Sequence, residues 1–391
     1  MGQDTKISWT SILDTAGNEV SGSTFSPWEG CAKVSAGCAN CYAEGQHNLY
    51  YSALKGEDRP GTCWGVNAPR LARTEAYWRA PLRWDRQAAE AQKAGLEVNR
   101  RRVFCASMAD VFEDQPEASR AHAGTTGRVP TGNGGAREVR FVDIAPLRLR
   151  LLRLIYDTPH LDWLLLTKRP GNIVPELTLA LHEAQNSGRG DIAAGQTYTF
   201  RRWLREWVAN DNPPVNVWLG TSVEHQMAAE ERIHLLLQAP AVQYFLSCEP
   251  LLGPLDLPLK YCCGCHGFTP TVEVNNGKDW GCAHCKTYKG SYKGRAFQPS
   301  SVRGIGWVIV GGESGPRARL QEAEWVRAVQ AQCKEAGVPF LFKQMGSVWT
   351  KAVGGSDKHG GKLEEIPAEF HVRQSPPSVW PAPVESEADF V

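Results

Sequence analysis

Runs of continuous apolar residues, each ending abruptly in polar ones, recur along the chain. They are VFCASMAD at 103–110, WLLLTKRP at 163–170, VWLGTSVE at 217–224, YFLSCEP at 244–250, WVIVGGESG at 307–315 and PFLFKQMG at 339–346. A strand without polar alternation is buried on both faces, as strands of a parallel sheet are. Segments of helical period lie between these runs, at 144–156, 200–209, 226–238 and 323–336. The alternation predicts an α/β fold. With one more strand ahead of the first cysteines there are about seven, which suits a (β/α) barrel, partial or complete.

The polar residues fall at the same place in each run, its C-terminal end. Asp110, Lys168, Glu224, Glu249, Glu313 and Lys343 all stand there. In barrels and open parallel sheets that edge is where ligands bind. Capping of the next helix explains any single one as well, but six strands ending alike predict a shared site.

Three segments break the pattern. Residues 119–140 are Gly-rich and polar and read as a surface insertion. Residues 258–303 carry a dense group of cysteines, and from 351 to 391 the chain turns to Gly, Pro, Ser and Glu, the composition of a disordered tail. The barrel is therefore expected over 1–257 and 304–350. No internal repeat is visible.

Composition narrows the setting. With 42% hydrophobic residues, 22% charged residues and a net charge of +1, the chain is globular and carries no global field for nucleic acid or membrane. The start, MGQDTKISWTS, has no apolar signal core, and no apolar run reaches the length of a membrane span. A cytoplasmic location with reduced thiols is expected, so the twelve cysteines point to metal rather than disulfides.

Seven of those cysteines fall in two sets. Cys262-x2-Cys265 and Cys282-x2-Cys285, sixteen residues apart, have the spacing of a zinc ribbon. Each pair offers two thiolates from one tight turn, and zinc supplies the folding energy that so small a module lacks. Cys263, His266 and His284 are further candidates. Basic and aromatic neighbours such as Tyr261, Lys278, Lys286 and Tyr288 suit contact with nucleic acid, or simply a solvated surface.

The other set, Cys31-x6-Cys38-x2-Cys41, has no fourth cysteine beside it. Three thiolates can hold three irons of a 4Fe-4S cluster and leave the fourth iron open to a cofactor, which is the logic of radical S-adenosylmethionine enzymes. The usual radical spacing is C-x3-C-x2-C with an aromatic before the last cysteine; here Tyr42 follows it. A rival reading adds His47 to make a closed zinc site with three cysteines and one histidine. A zinc deaminase is excluded, because the H-x-E partner is absent. GGESG also fails as a nucleophile elbow, and no phosphate loop or dinucleotide fingerprint is present.

TKISWT (5–10), WEGCAKVSAGCANCYAE (28–44), VFCASMADVF (103–112), LDWLLLTKRPGN (161–172), VWLGTSVE (217–224), SCEPLLGP (247–254), WVIVGGESGPRAR (307–319) and GVPFLFKQMG (337–346) follow one another in order. Together they resemble the phage protein family called gp thirty-seven or gp sixty-eight, a domain of unknown function described as radical-SAM-like with a three-cysteine motif. The resemblance implies that Cys31, Cys38 and Cys41 hold the cluster. It implies that Glu249, Gly311, Gly312 and Glu313, in stretches like glycine-and-glutamate motifs, receive S-adenosylmethionine. Glu224 is then placed to meet ribose hydroxyls and Lys168 or Arg169 a carboxylate or phosphate. A salt-bridge network lining the barrel mouth is the competing explanation of these charges. Family members occur in phages and bacteria, sometimes with a three-Cys-motif partner protein.

The expected function is that of a radical S-adenosylmethionine-like iron-sulfur enzyme on a radical-SAM-like (β/α) barrel with an inserted zinc ribbon. Nucleic acid or a nucleotide is the expected substrate class. The alternative is a non-catalytic, metal-stabilised nucleic-acid-binding or phage accessory protein with zinc at both cysteine clusters.

Overall fold

Seven parallel strands form the centre of the molecule in their order along the chain. They are β1 (Ser23–Phe25), β2 (Arg101–Cys105), β3 (Leu161–Thr167), β4 (Val217–Ser222), β5 (Gln243–Cys248), β6 (Trp307–Gly311) and β7 (Phe340–Gln344). The computed structural model describes residues 5, 7–51, 63–130, 136–186, 194–209, 212–262, 267–268, 271–274, 279–282 and 302–379. All six apolar runs are strands, and Ser23–Phe25 is the strand expected ahead of the cysteines.

Helices connect the strands. α1 (Tyr42–Tyr51) and α2 (Ala80–Lys93) follow β1; α3 (Ile144–Tyr156) follows β2; α4 (Ile173–Asn186) and α5 (Ala194–Val208) follow β3. α6 (Gln226–Gln238) joins β4 to β5, α7 (Ala323–Ala336) joins β6 to β7, and α8 (Ser347–Val353) follows β7. Local chemistry sets their ends: Asp143 accepts from the Ala145 amide to cap α3, and Gly337 ends α7 in a left-handed conformation. The sequence pattern missed α1, α2, α4 and α8 and started α5 late.

The sheet curls into a half-barrel rather than a closed barrel, since β1 and β7 end the strand order and do not pair with each other. The inner face shows why it curls. Trp9 packs on Phe104 of β2 at 4.7 Å and on Trp307 of β6 at 6.3 Å. In a flat sheet those strands, four places apart, would lie roughly 19 Å from each other. One indole reaches both only because the sheet wraps around it. The helices cover the outer face through a large apolar core that includes Leu165, Leu219, Leu246 and Val308.

Residues 351–379 correct the expectation of a disordered tail. Phe370 is fully buried against Phe342, with ring centroids 5.1 Å apart. The Phe342 amide then donates to the Val372 carbonyl (2.9 Å), and the Gln374 amide to the Phe340 carbonyl (3.0 Å). Apolar residues spaced among prolines and serines were enough to dock the strand; residues 380–391 lie outside the described residues.

The insertion at 119–140 contains a hairpin of Thr126–Pro130 with Ala136–Arg140. In the 258–303 segment, Lys260–Cys262 pairs with Gly267–Phe268 and Val302–Gly304, and Thr271–Val274 pairs with Asp279–Cys282. Cys262 and Cys282 thus end strands. Cys265, Cys285, Cys263, His266 and His284 lie outside the described residues, so the zinc-ribbon expectation falls there too. Among the described residues, no helix is long and apolar enough to cross a membrane.

Candidate functional site

The loop bearing Cys31, Cys38 and Cys41 leaves the C-terminal end of β1 and lies over the mouth of the half-barrel, tied to the ends of several other strands. After β3, Arg169 Nη2 donates to the Ala32 carbonyl (2.7 Å), while its Nη1 sits 3.8 Å from Cys31 Sγ and 2.9 Å from Asp110 Oδ2. The Ala32 amide donates to Glu113 (2.7 Å), and Arg70 holds that carboxylate from the far side at 2.8 and 2.9 Å. After β4, Glu224 accepts from Ser35 Oγ (3.3 Å) and abuts Gly37 so closely that any Cβ there would collide with it. After β6, Glu313 accepts from Asn40 (3.1 Å), and Arg319 joins Glu313 to the Ala36 carbonyl (3.0 Å).

The cofactor candidates are therefore gathered on one rim, and each carboxylate there has a cation. Lys168 and Arg232 pair with Glu224, Arg319 with Glu313, and Lys343 with Glu249 at 2.9 Å. Burial raises the carboxyls of Glu224 and Glu313. For Glu224, Lys168 and Arg232 outweigh it; for Glu313, hydrogen bonds from Arg319 and Asn40 do, leaving both below the usual range. Glu224 and Glu313, expected to meet cofactor, are engaged in holding the cysteine loop. Glu249 accepts instead from Ser247 (3.2 Å) beside Lys343.

The glycine pair divides in the same way. A Cβ on Gly311 would come 2.7 Å from Glu249 Oε1, so that glycine opens space in front of the carboxylate. A Cβ on Gly312 would strike the Met345 carbonyl, so Gly312 serves the packing of β6 on the turn after β7.

Burial, then the charges of Asp110 and Glu113, push the Cys31 thiol up against the pull of Arg169, and burial also raises Cys41. A cation bound here would reverse that. Among the described residues, the group of three or more His, Cys, Asp or Glu whose donor atoms all lie within 4.8 Å is not this trio but Glu29, His47 and Cys63. His47 Nδ1 lies 2.6 Å from Glu29 Oε1, and Cys63 Sγ lies 3.6 Å from Nδ1. His47, the residue of the rival zinc reading, thus lies beside Glu29 and Cys63.

Sequence reading missed Glu29, Cys63 and Arg70, which no spacing rule links. Cys105, Cys248 and Cys333 are fully buried apolar fillers.

No curated protein matches this chain. A match to a family described as "Protein of unknown function (DUF5131)" covers residues 4–123 and 142–369, leaving out most of the hairpin insertion. Spanning well over half of the sequence, that match shows that the chain belongs to the DUF5131 family.

Proposed function

We propose that the chain is an iron-sulfur enzyme of the radical S-adenosylmethionine type, with Cys31, Cys38 and Cys41 as ligands of a 4Fe-4S cluster. The observation that carries this is the anchoring of the three-cysteine loop on the C-terminal rim by Arg169, Glu224 and Glu313. Barrel enzymes place their chemistry on that rim. The donor set fits: three soft thiols on one loop, not drawn together as ligands of one ion are. Such a cluster, when bound, would supply one electron to the sulfonium of S-adenosylmethionine.

This chain's own residues have definable tasks. Arg169 stabilises negative charge on Cys31, while Glu224 and Glu313 fix the loop. Glu249, with space opened by Gly311, is placed to accept from an ammonium, displacing Lys343. Lys168 stays on Glu224 and keeps its charge balanced. The insertion's basic and aromatic residues favour nucleic acid or a nucleotide as substrate.

Anaerobic reconstitution with iron and sulfide tests the reading. About four irons per chain are expected, with an electron paramagnetic resonance signal of the reduced protein that changes on adding S-adenosylmethionine. A colourless protein that holds zinc but no iron would overturn it.

A further inference from the structure

We propose a second metal site, for a borderline-soft divalent ion such as zinc, formed by Glu29, His47 and Cys63 beneath the cysteine loop. It stands apart from the iron-sulfur reading, since it shares no ligand with it.

The three side chains come from three separate segments and are 6%, 2% and 0% exposed. Their donor atoms converge within 4.8 Å. Carboxylate, imidazole and thiolate are the ligand types zinc takes, at about 2.0–2.3 Å. Tetrahedral geometry then separates sulfur from nitrogen by about 3.5 Å. Cys63 Sγ lies 3.6 Å from His47 Nδ1 and 3.7 Å from Nε2, close to that separation, and a turn of the imidazole would bring one nitrogen's lone pair onto an ion shared with the sulfur. The edge between His47 and Glu29, now a 2.6 Å hydrogen bond, would open by about 0.7 Å to admit the ion.

A second shell is present as well. Arg73 Nη1 holds the other oxygen of Glu29 at 2.9 Å, fixing the carboxylate's orientation. Trp64, Leu71, Met108 and Val139 pack around Cys63 and exclude solvent. A cleft of about 140 Å³ lies beside Glu29, lined also by Arg73, Thr74, Tyr77 and Val139. The backbone is built for close approach: Gly30 has φ 111°, and a Cβ there would collide with the Cys63 carbonyl. Three protein donors leave a fourth position to water or another small ligand.

The consequence would be a staple. Gly65 donates to the Cys31 carbonyl at 3.0 Å, so an ion bridging residues 29, 47 and 63 would fix the base of the cysteine loop.

The test uses the full chain, freed of metal anaerobically, in a Cys282→Ser/Cys285→Ser background that silences the other cysteine group. Titrated with zinc alone, it should take up one ion per chain, and Cys63→Ser should weaken that uptake at least 100-fold. With Co2+ as probe, a near-ultraviolet thiolate band should appear, vanish in Cys63→Ser and persist in Cys38→Ala. Survival of the band in Cys63→Ser would overturn the site. So would its loss in Cys38→Ala. Should Cys63→Ser fail to fold, zinc-edge X-ray absorption of the background chain decides: one sulfur with nitrogen and oxygen neighbours supports the site, two or more sulfurs refute it. Iron is counted separately after reconstitution. Iron absent from every variant would sink only the radical reading and leave the zinc site to stand or fall on the zinc and cobalt measurements.

Discussion

At the mouth of the half-barrel, Glu224, Glu249 and Glu313 each face a partly exposed cation, Lys168, Lys343 and Arg319. At the floor, the end formed by the strands' N-termini, Arg102 is 2% exposed and is held by carbonyls and indole faces. Its guanidinium lies 5.1 Å from the rings of both Trp218 and Trp307 and donates to the carbonyls of Ser11 (3.2 Å) and Pro376 (2.8 Å). Burial lowers this arginine to about 10. The carboxylates differ too. Burial raises Asp162, at the floor, to about 6 despite Ser378 and Arg100, whereas the rim pairs leave Glu224 and Glu313 depressed. One end is closed by desolvated groups that have no reason to move. The other is held by charges that a ligand or a proton can redistribute.

The largest effect should come from the floor. Arg102→Ala leaves several buried carbonyls unpaired and a cavity between two indoles, a loss on the order of 4 kcal/mol in urea unfolding. Iron bound per folded molecule should stay unchanged; a parallel loss of iron would erase the division between the two ends.

pH separates the ends by sign. Asp162 titrates higher in the folded chain (about 6) than its ordinary 3.8, so its contribution is full below 3.8 and lost as pH rises through about 6. Acidification from pH 7 to 5 should therefore stabilise the chain by about 1 kcal/mol through this group, and Asp162→Asn should flatten the trend. Glu224 and Glu313 have the opposite sign. Their contribution is present above 4.5 and lost as pH falls through their depressed values, so hydrogen exchange in residues 35–40 should accelerate only below that point.

Glu313→Gln should cost less than about 1 kcal/mol of global stability, because Arg319 is a third exposed and solvent screens the pair. The cysteine loop should nevertheless loosen, with iron lost to a chelator about ten-fold faster. Smallest of all is Lys343→Ala, nearly neutral in unfolding, at under about 0.5 kcal/mol. By relieving Glu249 of its competitor it should tighten S-adenosylmethionine binding by about three-fold in equilibrium dialysis; weaker binding would mean that Lys343 itself receives the cofactor.

The mouth was the legible end. Apolar runs marked the strands, and the polar residues after them marked a rim, because a buried parallel strand must end where its carbonyls meet solvent or ligand. The floor was hidden. Arg102 looks like an ordinary strand-start charge, and nothing local says that Trp9 and Pro376 meet it, since those contacts span 93 and 274 positions. Glu29, His47 and Cys63 were illegible for the same reason: 18 and 16 positions separate His47 from its two partners, and no motif brackets them. Even at the rim, sequence gave position without task. Glu224 and Glu313 looked like cofactor ligands, and only their contacts with Ser35, Gly37 and Asn40 reveal them as fasteners of the loop.

The floor joins residues that lie far apart in the order of synthesis. Trp9 and Ser11 lie on one side of Arg102, and Ser375 and Pro376 on the other, with Ser378 reaching Asp162 beyond them. On a ribosome, the strands and the cysteine loop would emerge long before the segment that seals them from below. A nascent chain would thus present its thiols on an unsealed scaffold, and a stop codon shortly before position 375 would release a protein with its rim intact and its base open to water.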